Sequence, residues 1–346
     1  MKAIVIHHYG PPEVLSYEDV PDPQPRRGEI RIRIYAATVN RVLDVSLRAG
    51  RERAREAVLP LIPGVDCAGV IDAIGPEVGR LRPGMRVAAA GMMPLEPCAE
   101  SGDGYGGPTG MMGIKRPGGF AQMVTVPACA ATELPPELGF HQAAVVMRHV
   151  PTAWNLLVNV AQLKAGETVL IMGAGGNLGS IGIQIAKNVI GATVIAGAGS
   201  DERASIGLAL GADHAINYNA RDLASEVMKL TGGKGVDVLY DNIANPKVLP
   251  AAFRTLGMDG RLVTAGAHGG PEVAIDFSHL YHKRITIKGR PGYHAPDVAK
   301  CFGAAAANKI KPQIEHVLAL SRAADAHRLV ESGRAHGKIV LDPTLD

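Results

Sequence analysis

A short apolar run that ends in a glycine-rich turn constrains the fold of this chain more than any other feature. Residues 168–172 read Thr-Val-Leu-Ile-Met, a composition typical of a buried parallel strand. Gly-Ala-Gly-Gly-Asn-Leu-Gly follows at 173–179, and apolar residues then recur on one helical face as far as Gly191. The segment therefore predicts a strand, a tight turn and a helix.

The glycine turn has the composition of an anion-binding loop. Gly173, Gly176 and Gly179 recur at every third position, which permits a sharp turn, close approach of the backbone to a ligand, and close packing of the helix on the strand. Free N–H groups and the positive helix end favour a pyrophosphate there, although an ordinary strand-to-helix loop is the alternative. We therefore predict a dinucleotide site lined by Gly173, Gly175, Gly176, Asn177, Leu178 and Gly179.

Strand-like and helix-like segments continue to alternate after the turn. The alternation predicts a doubly wound parallel sheet of the α/β class. Its predicted elements are strand 192–196, helix 202–210, strand 214–218, helix 222–230 and strand 236–240.

The end of the second strand bears on the choice of cofactor. An acidic residue at that position binds the ribose 2′-hydroxyl of NAD, whereas this chain has Gly-Ala-Gly-Ser at 197–200 and reaches acidic residues only in the next helix. Ser200, Arg203 and Tyr218 could instead donate to a 2′-phosphate. We predict NADP(H) rather than NAD(H), with a solvated helix residue as the alternative reading of Arg203.

Length and composition bound the possible classes of protein. The chain has 346 residues, 47% of them hydrophobic, which suffices for two domains with a sizeable core. A net charge of +3 without a basic block does not favour a nucleic-acid partner. Residues 1–6 resemble a strand rather than a signal peptide, and no apolar run reaches membrane-spanning length, so we expect a soluble cytoplasmic protein.

The four cysteines, Cys67, Cys98, Cys129 and Cys301, stand far apart and form no C-x-x-C pair. They predict neither a disulfide framework nor a structural zinc site, and we expect four buried or idle thiols.

The first third of the chain contains short strands separated by Gly and Pro. Residues 29–35 alternate polar and apolar side chains, as a half-buried strand does. A compact β domain is thus expected before the dinucleotide domain.

Taken together, these stretches resemble the medium-chain dehydrogenases/reductases. The matching segments are 59–70, 118–122 (Gly-Gly-Phe-Ala-Gln), 151–154 (Pro-Thr-Ala-Trp), 163–170, the glycine turn and 337–341 (Gly-Lys-Ile-Val-Leu). The resemblance implies a GroES-like catalytic domain over 1–149, a Rossmann NADP(H)-binding domain over 150–290, and a return to the catalytic domain over 291–346. It also implies a homodimer that pairs through the strand at 285–289, because an exposed edge strand would otherwise remain open.

Alcohol dehydrogenases of this family hold a catalytic zinc, and their ligand positions match Asn40, Val65 with Asp66, and approximately Arg148. None of the three positions carries a good zinc ligand. The family's structural-zinc loop corresponds to 97–107 and retains only Cys98, so no metal is expected there; its glycines predict a flexible flap in which Tyr105 faces either solvent or the cleft.

The segments 39–44 and 47–50 resemble the zinc-free quinone reductases most closely. The resemblance implies that Asn40 lies beside the substrate and nicotinamide. Asp44 either supports this loop or caps the following helix. The family's tyrosine two residues later is Ser46 here, so Ser46 or water is left as the proton donor, and Arg148 or His149 could orient the substrate.

The resemblance and the expected strand ends imply further cofactor contacts. They would come from Thr152, Asn242, Ala265 and Gly266.

We therefore expect a zinc-independent reductase that passes hydride from NADPH to a quinone or similarly activated acceptor, which needs less help than an alcohol does. Two alternatives remain open at this stage. One is an alkenal or enoyl double-bond reductase, or a metal-free carbonyl/alcohol dehydrogenase. The other is an NADPH-binding sensor or structural protein with little catalysis.

Overall fold

The computed structural model describes residues 1–96, 108–335 and 337–346. The chain divides into two compact units. Unit 1 comprises Met1–Arg148, Val298–Gly303 and Pro312–Asp346, and unit 2 comprises His149–Asp297 and Ala304–Lys311.

The strands within the described ranges are β1 (Lys2–Ile6), β2 (Leu15–Asp19), β3 (Glu29–Thr38), β4 (Asp66–Ile74), β5 (Arg86–Ala90), β6 (Met92–Pro94), β7 (Thr109–Met111), β8 (Met123–Pro127), β9 (Ala131–Glu133), β10 (Thr168–Met172), β11 (Thr193–Ala198), β12 (His214–Asn217), β13 (Val236–Tyr240), β14 (Leu256–Thr264), β15 (Thr286–Gly289), β16 (Ile314–Ala319) and β17 (Lys338–Asp342). The α-helices are α1 (Ser46–Arg48), α2 (Phe140–Trp154), α3 (Asn177–Gln184), α4 (Asp201–Ala209), α5 (Leu223–Leu230), α6 (Leu249–Phe253), α7 (Phe277–His282), α8 (Asp297–Ala306) and α9 (Ala323–Ser332). Wider π-helical turns occupy Arg41–Val45, Asn155–Val160 and Ile185–Ile190, and 3₁₀ turns occupy Pro12–Val14, Glu52–Glu56, Ala128–Ala130, Leu320–Arg322 and Pro343–Leu345.

Unit 1 is built on a seven-stranded sheet in the order β16-β17-β3-β4-β5-β9, with β8 pairing to β3. The predicted alternation along β3 is present, since Ile30, Ile32 and Ile34 enter the core. In that core they join apolar residues of the neighbouring strands, because alternate side chains of a strand face the same side.

Strand β3 runs antiparallel to both β4 and β17. Antiparallel pairing places the end of one strand beside the start of its neighbour. Thr38, the last residue of β3, thus lies near Asp66 and Lys338, which begin the other two strands. This corner of the sheet collects the polar residues described below.

Unit 2 contains a six-stranded sheet in the order β12-β11-β10-β13-β14-β15, in which every pairing is parallel. Its apolar core includes Leu170, Ile195 and Leu239 from the three central strands. The strand order reverses between β10 and β13, and the carboxyl ends of strands at such a reversal are where α/β proteins bind ligands. The predicted combination of a GroES-like β domain and a Rossmann-type parallel sheet is confirmed.

Local signals in unit 2 act as the sequence indicates. Strands β10 and β13 have the predicted bounds. Gly191 ends its helical segment at φ +84°, a conformation that glycine adopts without steric cost. Asp222 lies just before α5, where its carboxylate accepts from the Ser225 N–H as a helix cap.

The four cysteines do not behave alike. Cys67 and Cys301 are buried and are not disulfide-bonded. Cys129 is disulfide-bonded, so the expectation of an idle thiol is wrong for this residue. Wide sequence separation does not prevent two cysteines from meeting in the fold. Cys98, Tyr105 and the predicted flap lie outside the described residues.

None of the helices in the described ranges combines the length and the apolar character that a membrane span requires.

Candidate functional site

The glycine turn follows β10 at the reversal point of the parallel sheet. Gly173 has φ +75°, and its carbonyl accepts the N–H of Gly176 at 2.8 Å. A Cβ atom at Gly179 would lie 2.1 Å from the Gly173 carbonyl oxygen. The turn can therefore close on α3 only if residue 179 lacks a side chain.

The turn is also anchored from its far side. Tyr240, buried at the end of β13, donates its hydroxyl to the carbonyl of Leu178 at 3.2 Å. Asn177 is the first residue of α3, and its carbonyl accepts from Ser180. These contacts fix the N-terminal turn of α3, so its free backbone N–H groups are held in place for an anion.

Arg203 and Tyr218, two residues predicted to bind a phosphate, lie next to glycines of this region. A Cβ at Gly175 would stand 2.9 Å from the Cγ of Arg203, and a Cβ at Gly199 would stand 3.1 Å from the Tyr218 hydroxyl. Burial raises the pKa of Tyr218, while the positive charge of Arg203 opposes that rise. The structure thus brings Arg203, Tyr218 and the glycine turn together.

Ser200 has a structural role that was not predicted from the sequence. It caps α4, since its Oγ accepts from the Arg203 N–H at 3.3 Å, which leaves its own O–H free to donate. The first acidic residue after it, Asp201, accepts a hydrogen bond from Asn217 at 3.0 Å. The last strand residues, Gly197 and Ala198, carry no carboxylate.

Asn242 joins the ends of β13 and β14. Its Oδ1 accepts from the Ala265 N–H at 2.7 Å, and Gly266 is tied to Thr264 in the same loop. The Asn242 Nδ2 is buried near the Tyr240 hydroxyl and makes no hydrogen bond of normal geometry with the described residues. An unsatisfied amide beside the glycine turn is what a polar ligand would complete, so these residues fit a dinucleotide. Thr152 lies half-buried in α2.

Unit 1 carries a second group of predicted residues, arranged around a buried carboxylate at the corner formed by β3, β4 and β17. Both oxygens of Asp66 accept from Thr38: Oδ1 from the N–H at 2.6 Å and Oδ2 from the hydroxyl at 2.5 Å. Neither residue is exposed. The end of β3 is thereby tied to the start of β4.

The Asn40 side chain lies inside this network with its orientation determined. Its Nδ2 is 3.0 Å from the Thr38 hydroxyl and 3.3 Å from Asp66 Oδ2, both of which accept. Its Oδ1 accepts from the ammonium of Lys338 at 3.3 Å. Because Lys338 can only donate and the Asp66 carboxylate can only accept, the amide has one consistent orientation.

Asp44 supports the Asn40 loop from the following turn. Its Oδ2 accepts from the Asn40 N–H at 2.8 Å, while Oδ1 is buried without a hydrogen-bond partner in the described part of the chain. Asn40, not Asp44, occupies the capping position, so the alternative reading of Asp44 as the helix cap is wrong. The Asp44 carboxylate, one turn later in the chain, instead accepts from the backbone N–H of the capping residue Asn40.

Asn40 and four ionisable groups meet at this corner, defined here as the polar cluster: the buried Asn40, Asp44, Asp66 and Lys338, and the half-buried Arg148. Burial raises the pKa of Asp44 to about 7, helped by the neighbouring Asp66 charge and opposed by Asn40 and Arg148. Burial raises the pKa of Asp66 as well, against the hydrogen bonds from Thr38 and the charges of Arg148 and Lys338. Burial lowers the pKa of Lys338 to about 8, against the attraction of Asp66. Two acids thus face two cations.

The polar cluster includes three of the four residues predicted to serve catalysis. Asn40 and Asp44 are in contact, and the charge of Arg148 acts on Asp44, Asp66 and Lys338. Ser46 is not part of the network, since its side chain makes no hydrogen bond with any described residue.

The family resemblance matches Asn40, Asp66 and Arg148 to zinc-ligand positions of the alcohol-dehydrogenase branch, and the residues at this corner do not fit a metal. Both Asp66 oxygens are already taken, and Val65 is buried hydrocarbon. A divalent cation would face the fixed positive charges of Lys338 and Arg148. Within the described ranges, no group of three or more His, Cys, Asp or Glu side chains could hold a metal ion.

The sequence analysis missed Lys338 as a site residue and quoted Asp66 only as a failed zinc ligand. A usable signal was present at both positions. Each is an ionisable residue directly before a run of small or apolar residues in a strand, and such residues are rarely buried without a partner.

A glycine turn at the reversal point of a parallel sheet, with polar side chains at the carboxyl ends of the strands, is the arrangement that binds a dinucleotide in α/β proteins, and the similarity to known proteins identifies a nicotinamide-dependent oxidoreductase. The chain belongs to the medium-chain dehydrogenase/reductase superfamily and is quinone oxidoreductase-like. It matches the family models for an alcohol dehydrogenase GroES-like domain over residues 26–136 and for a zinc-binding dehydrogenase over residues 177–307.

Similar proteins fall into more than one activity class. A quinone oxidoreductase of Sus scrofa is 30% identical, with 99% of this chain and 97% of that protein covered. The crystal structure of AibC has a TM-score of 0.92 at 29% identity, covering 99% of this chain and 95% of that one. The crystal structure of an NAD-dependent alcohol dehydrogenase has a TM-score of 0.88 at 34% identity, covering 99% of both chains.

Proposed function

We propose that this protein is a zinc-independent oxidoreductase that passes hydride from NADPH to a quinone or a similarly activated acceptor. The observation that carries the proposal is the polar cluster. Where alcohol-oxidising relatives need a Lewis acid, Asp66 is saturated by Thr38, and the two cations Lys338 and Arg148 already balance the two carboxylates. A quinone does not need a metal, because its reduced form delocalises the incoming charge.

Residues of unit 2 support the preference for NADPH. The backbone N–H groups at the start of α3 would hold the pyrophosphate. Asn242 and the Ala265–Gly266 loop would contact the cofactor farther along the strand ends. Arg203, Tyr218 and the free hydroxyl of Ser200 would donate to a 2′-phosphate. A carboxylate that would repel this phosphate is missing from the end of β11.

The residues of unit 1 act through position and charge. When bound, the reduced nicotinamide would supply a hydride, and the acceptor would take up one proton, from Ser46 or water, to complete its two-electron reduction. Asn40 is held by Thr38, Asp66 and Lys338, so its amide is oriented before any substrate arrives. No covalent intermediate between protein and substrate is part of this scheme.

The test is NADPH oxidation by chelator-treated protein whose metal content has been measured. An ortho-quinone and a para-quinone serve as acceptors, with NADH run in parallel. We expect quinone-dependent oxidation that prefers NADPH and is unchanged by added zinc. Activity that appears only after zinc is restored would refute the metal-independent mechanism.

A second candidate is an alcohol dehydrogenase that works without metal, and it is supported by the alcohol dehydrogenase structure that is 34% identical to this chain. The same assay run with an alcohol and oxidised cofactor separates the two. Alcohol-dependent reduction of NAD⁺ by the metal-free protein, with no quinone turnover, would favour this candidate. Turnover of conjugated alkenals alone would identify a double-bond reductase instead.

A further inference from the structure

The polar cluster contains a cation, Lys338, whose hydrogen bond to Asn40 has a consequence for the reaction that can be tested. Lys338 begins β17, is 6% exposed, and donates to Asn40 Oδ1 at 3.3 Å. A lysine at such a depth needs an opposing charge, because a buried ammonium loses its hydration. Asp66 and Asp44 provide it, while Arg148 repels it.

The contacts of Asn40 leave its orientation dependent on Lys338. The Nδ2 group has three acceptors within 3.3 Å, namely the Thr38 carbonyl, the Thr38 hydroxyl and Asp66 Oδ2. Within the described ranges, the Oδ1 atom has one donor, the Lys338 ammonium. If this donor is removed, the amide oxygen is left without a hydrogen bond in a buried site, which costs free energy. Rotation of the amide toward solvent would lower that cost.

We infer that Lys338 is a positioning residue, whose buried ammonium fixes the Asn40 amide in the orientation that hydride transfer to the acceptor requires. The inference rests on the proposed function for its kinetic consequence. Its structural content, the dependence of the Asn40 orientation on Lys338, stands independently. On this inference the Lys338 ammonium on β17 fixes the orientation of a side chain at the site, as a metal ion does for its ligands in zinc-dependent members of the family.

The kinetic test compares K338M, K338R and the exposed control K115M. For K338M we expect kcat with a quinone to fall about 10²-fold, as displaced reacting groups do, with an unchanged dissociation constant for NADPH. K338R retains a cation and should recover part of kcat, and K115M should match the wild type. An unchanged kcat in folded K338M would overturn the inference.

A double variant separates positioning from a purely structural role. K338M leaves two carboxylates facing one cation, and K338M/D66N removes the excess negative charge, so thermal stability should return toward the wild-type value. The Asn40 amide still lacks its donor, so kcat should stay low. Recovery of kcat together with stability would show that Lys338 only supports the fold, and would overturn the inference.

A spectroscopic readout keeps the test independent of the enzymatic activity. In protein labelled with ¹⁵N-asparagine, the Asn40 side-chain NH₂ signal is assigned by its absence from N40S. We expect it to be protected from solvent exchange in the wild type and to exchange at least about tenfold faster in K338M, since its hydrogen bonds open. Equal exchange in both proteins would refute the inference even if no quinone were reduced, whereas a protected signal lost in K338M alongside an inactive wild type would refute only the proposed function.

Discussion

His327 is fully buried on α9, against the edge of the Phe120 ring. Neither ring nitrogen has a hydrogen-bond partner in the described part of the chain. Burial lowers its pKa to about 3, and the nearby positive charge of Arg48 contributes to that fall. The neutral imidazole is therefore the form that the folded protein accommodates.

A depressed pKa at a basic group has a definite consequence for acid stability. His327 binds a proton near pH 6.5 in the unfolded chain and only near pH 3 in the folded chain. Its contribution to the free energy of unfolding is therefore fully present above pH 6.5 and is lost as the pH falls. Between pH 6.5 and 4.5 we expect the wild type to lose roughly 2–3 kcal/mol more of its unfolding free energy than H327L. Urea unfolding across this range measures the difference. The exposed control H8Q should show the same pH dependence of unfolding as the wild type. If H327L also showed the wild-type pH dependence, His327 would not be held neutral and the prediction would be wrong.

Arg203 tests the cofactor preference at the level of one side chain. Removing its charge in R203A should weaken NADPH binding by about tenfold or more and leave NADH binding unchanged, because a charge-assisted hydrogen bond contributes roughly 1.5–3 kcal/mol. Titration calorimetry with both cofactors measures this. R221A is the matched control, since Arg221 is exposed and paired only at 3.5 Å with Glu226. Equal weakening of both cofactors would point to a role for Arg203 other than phosphate binding.

Sequence reasoning reached different depths at different residues. Gly173, Gly175, Arg203 and Tyr218 could be identified as neighbours because strand ends of a parallel sheet converge by rule. Lys338 could not be placed beside Asn40, since that contact depends on how a late strand pairs with β3, which no local pattern encodes. Helix-capping rules would have predicted the contact between Ser200 and the Arg203 N–H, but Ser200 was interpreted only as a ligand-binding residue.

The turn between β10 and α3 works as an element only with a glycine at its close. In G179A the added methyl would meet the Gly173 carbonyl oxygen at 2.1 Å, so the turn must open and its N–H groups must move. We expect cofactor affinity to fall at least about tenfold, a loss of 1.4 kcal/mol or more. Quenching of the single Trp154 or calorimetry reports binding.

Gly303 provides the comparison for this substitution. It lies in α8, and a Cβ there would meet nothing within 4 Å. G303A should keep its cofactor affinity and gain up to about 1 kcal/mol of stability from better helix propensity. If G179A bound the cofactor as well as G303A, the turn would not be the binding element.

Prediction of whole elements from sequence succeeded where the pattern was strong on its own. The apolar runs of β10 and β13 are bounded by glycine or by polar residues, which fixes their ends. Among the described strands, the short β6 and β7 pair only with each other, and they lack such signals, so their existence follows from tertiary pairing. Local patterns carry no information about contacts that only the folded chain makes.

At the scale of the whole molecule, β15 is one of the two edge strands of the unit 2 sheet, and among the described strands it pairs with β14 alone. All four of its residues are exposed, and Ile287, Tyr281 and Phe277 are exposed apolar side chains on or near it. An unpaired edge with apolar neighbours is a place where a second copy can add. We propose a homodimer that forms through this strand, as the family resemblance implies.

The variant I287K tests the proposed dimer. A lysine in the centre of the edge should shift the protein from dimer to monomer in sedimentation velocity, because pairing two copies would bury two ammonium groups. L208K is the control, since Leu208 is 49% exposed on α4 of the same unit. A wild type that sediments as a monomer would refute the proposal, and so would a dimer that I287K leaves intact.

The 298 positions between Asn40 and Lys338 matter for how the protein is made. A ribosome that adds about 5–20 residues per second needs roughly 15–60 s to travel from one to the other. The parallel sheet of unit 2 can assemble within that interval, whereas Thr38, Asn40 and Asp66 leave the ribosome without their cation and without the strand that covers the end of β3. Lys338 is synthesised after every strand of the unit 2 sheet, so the parallel sheet of a nascent chain can form before the polar cluster is complete.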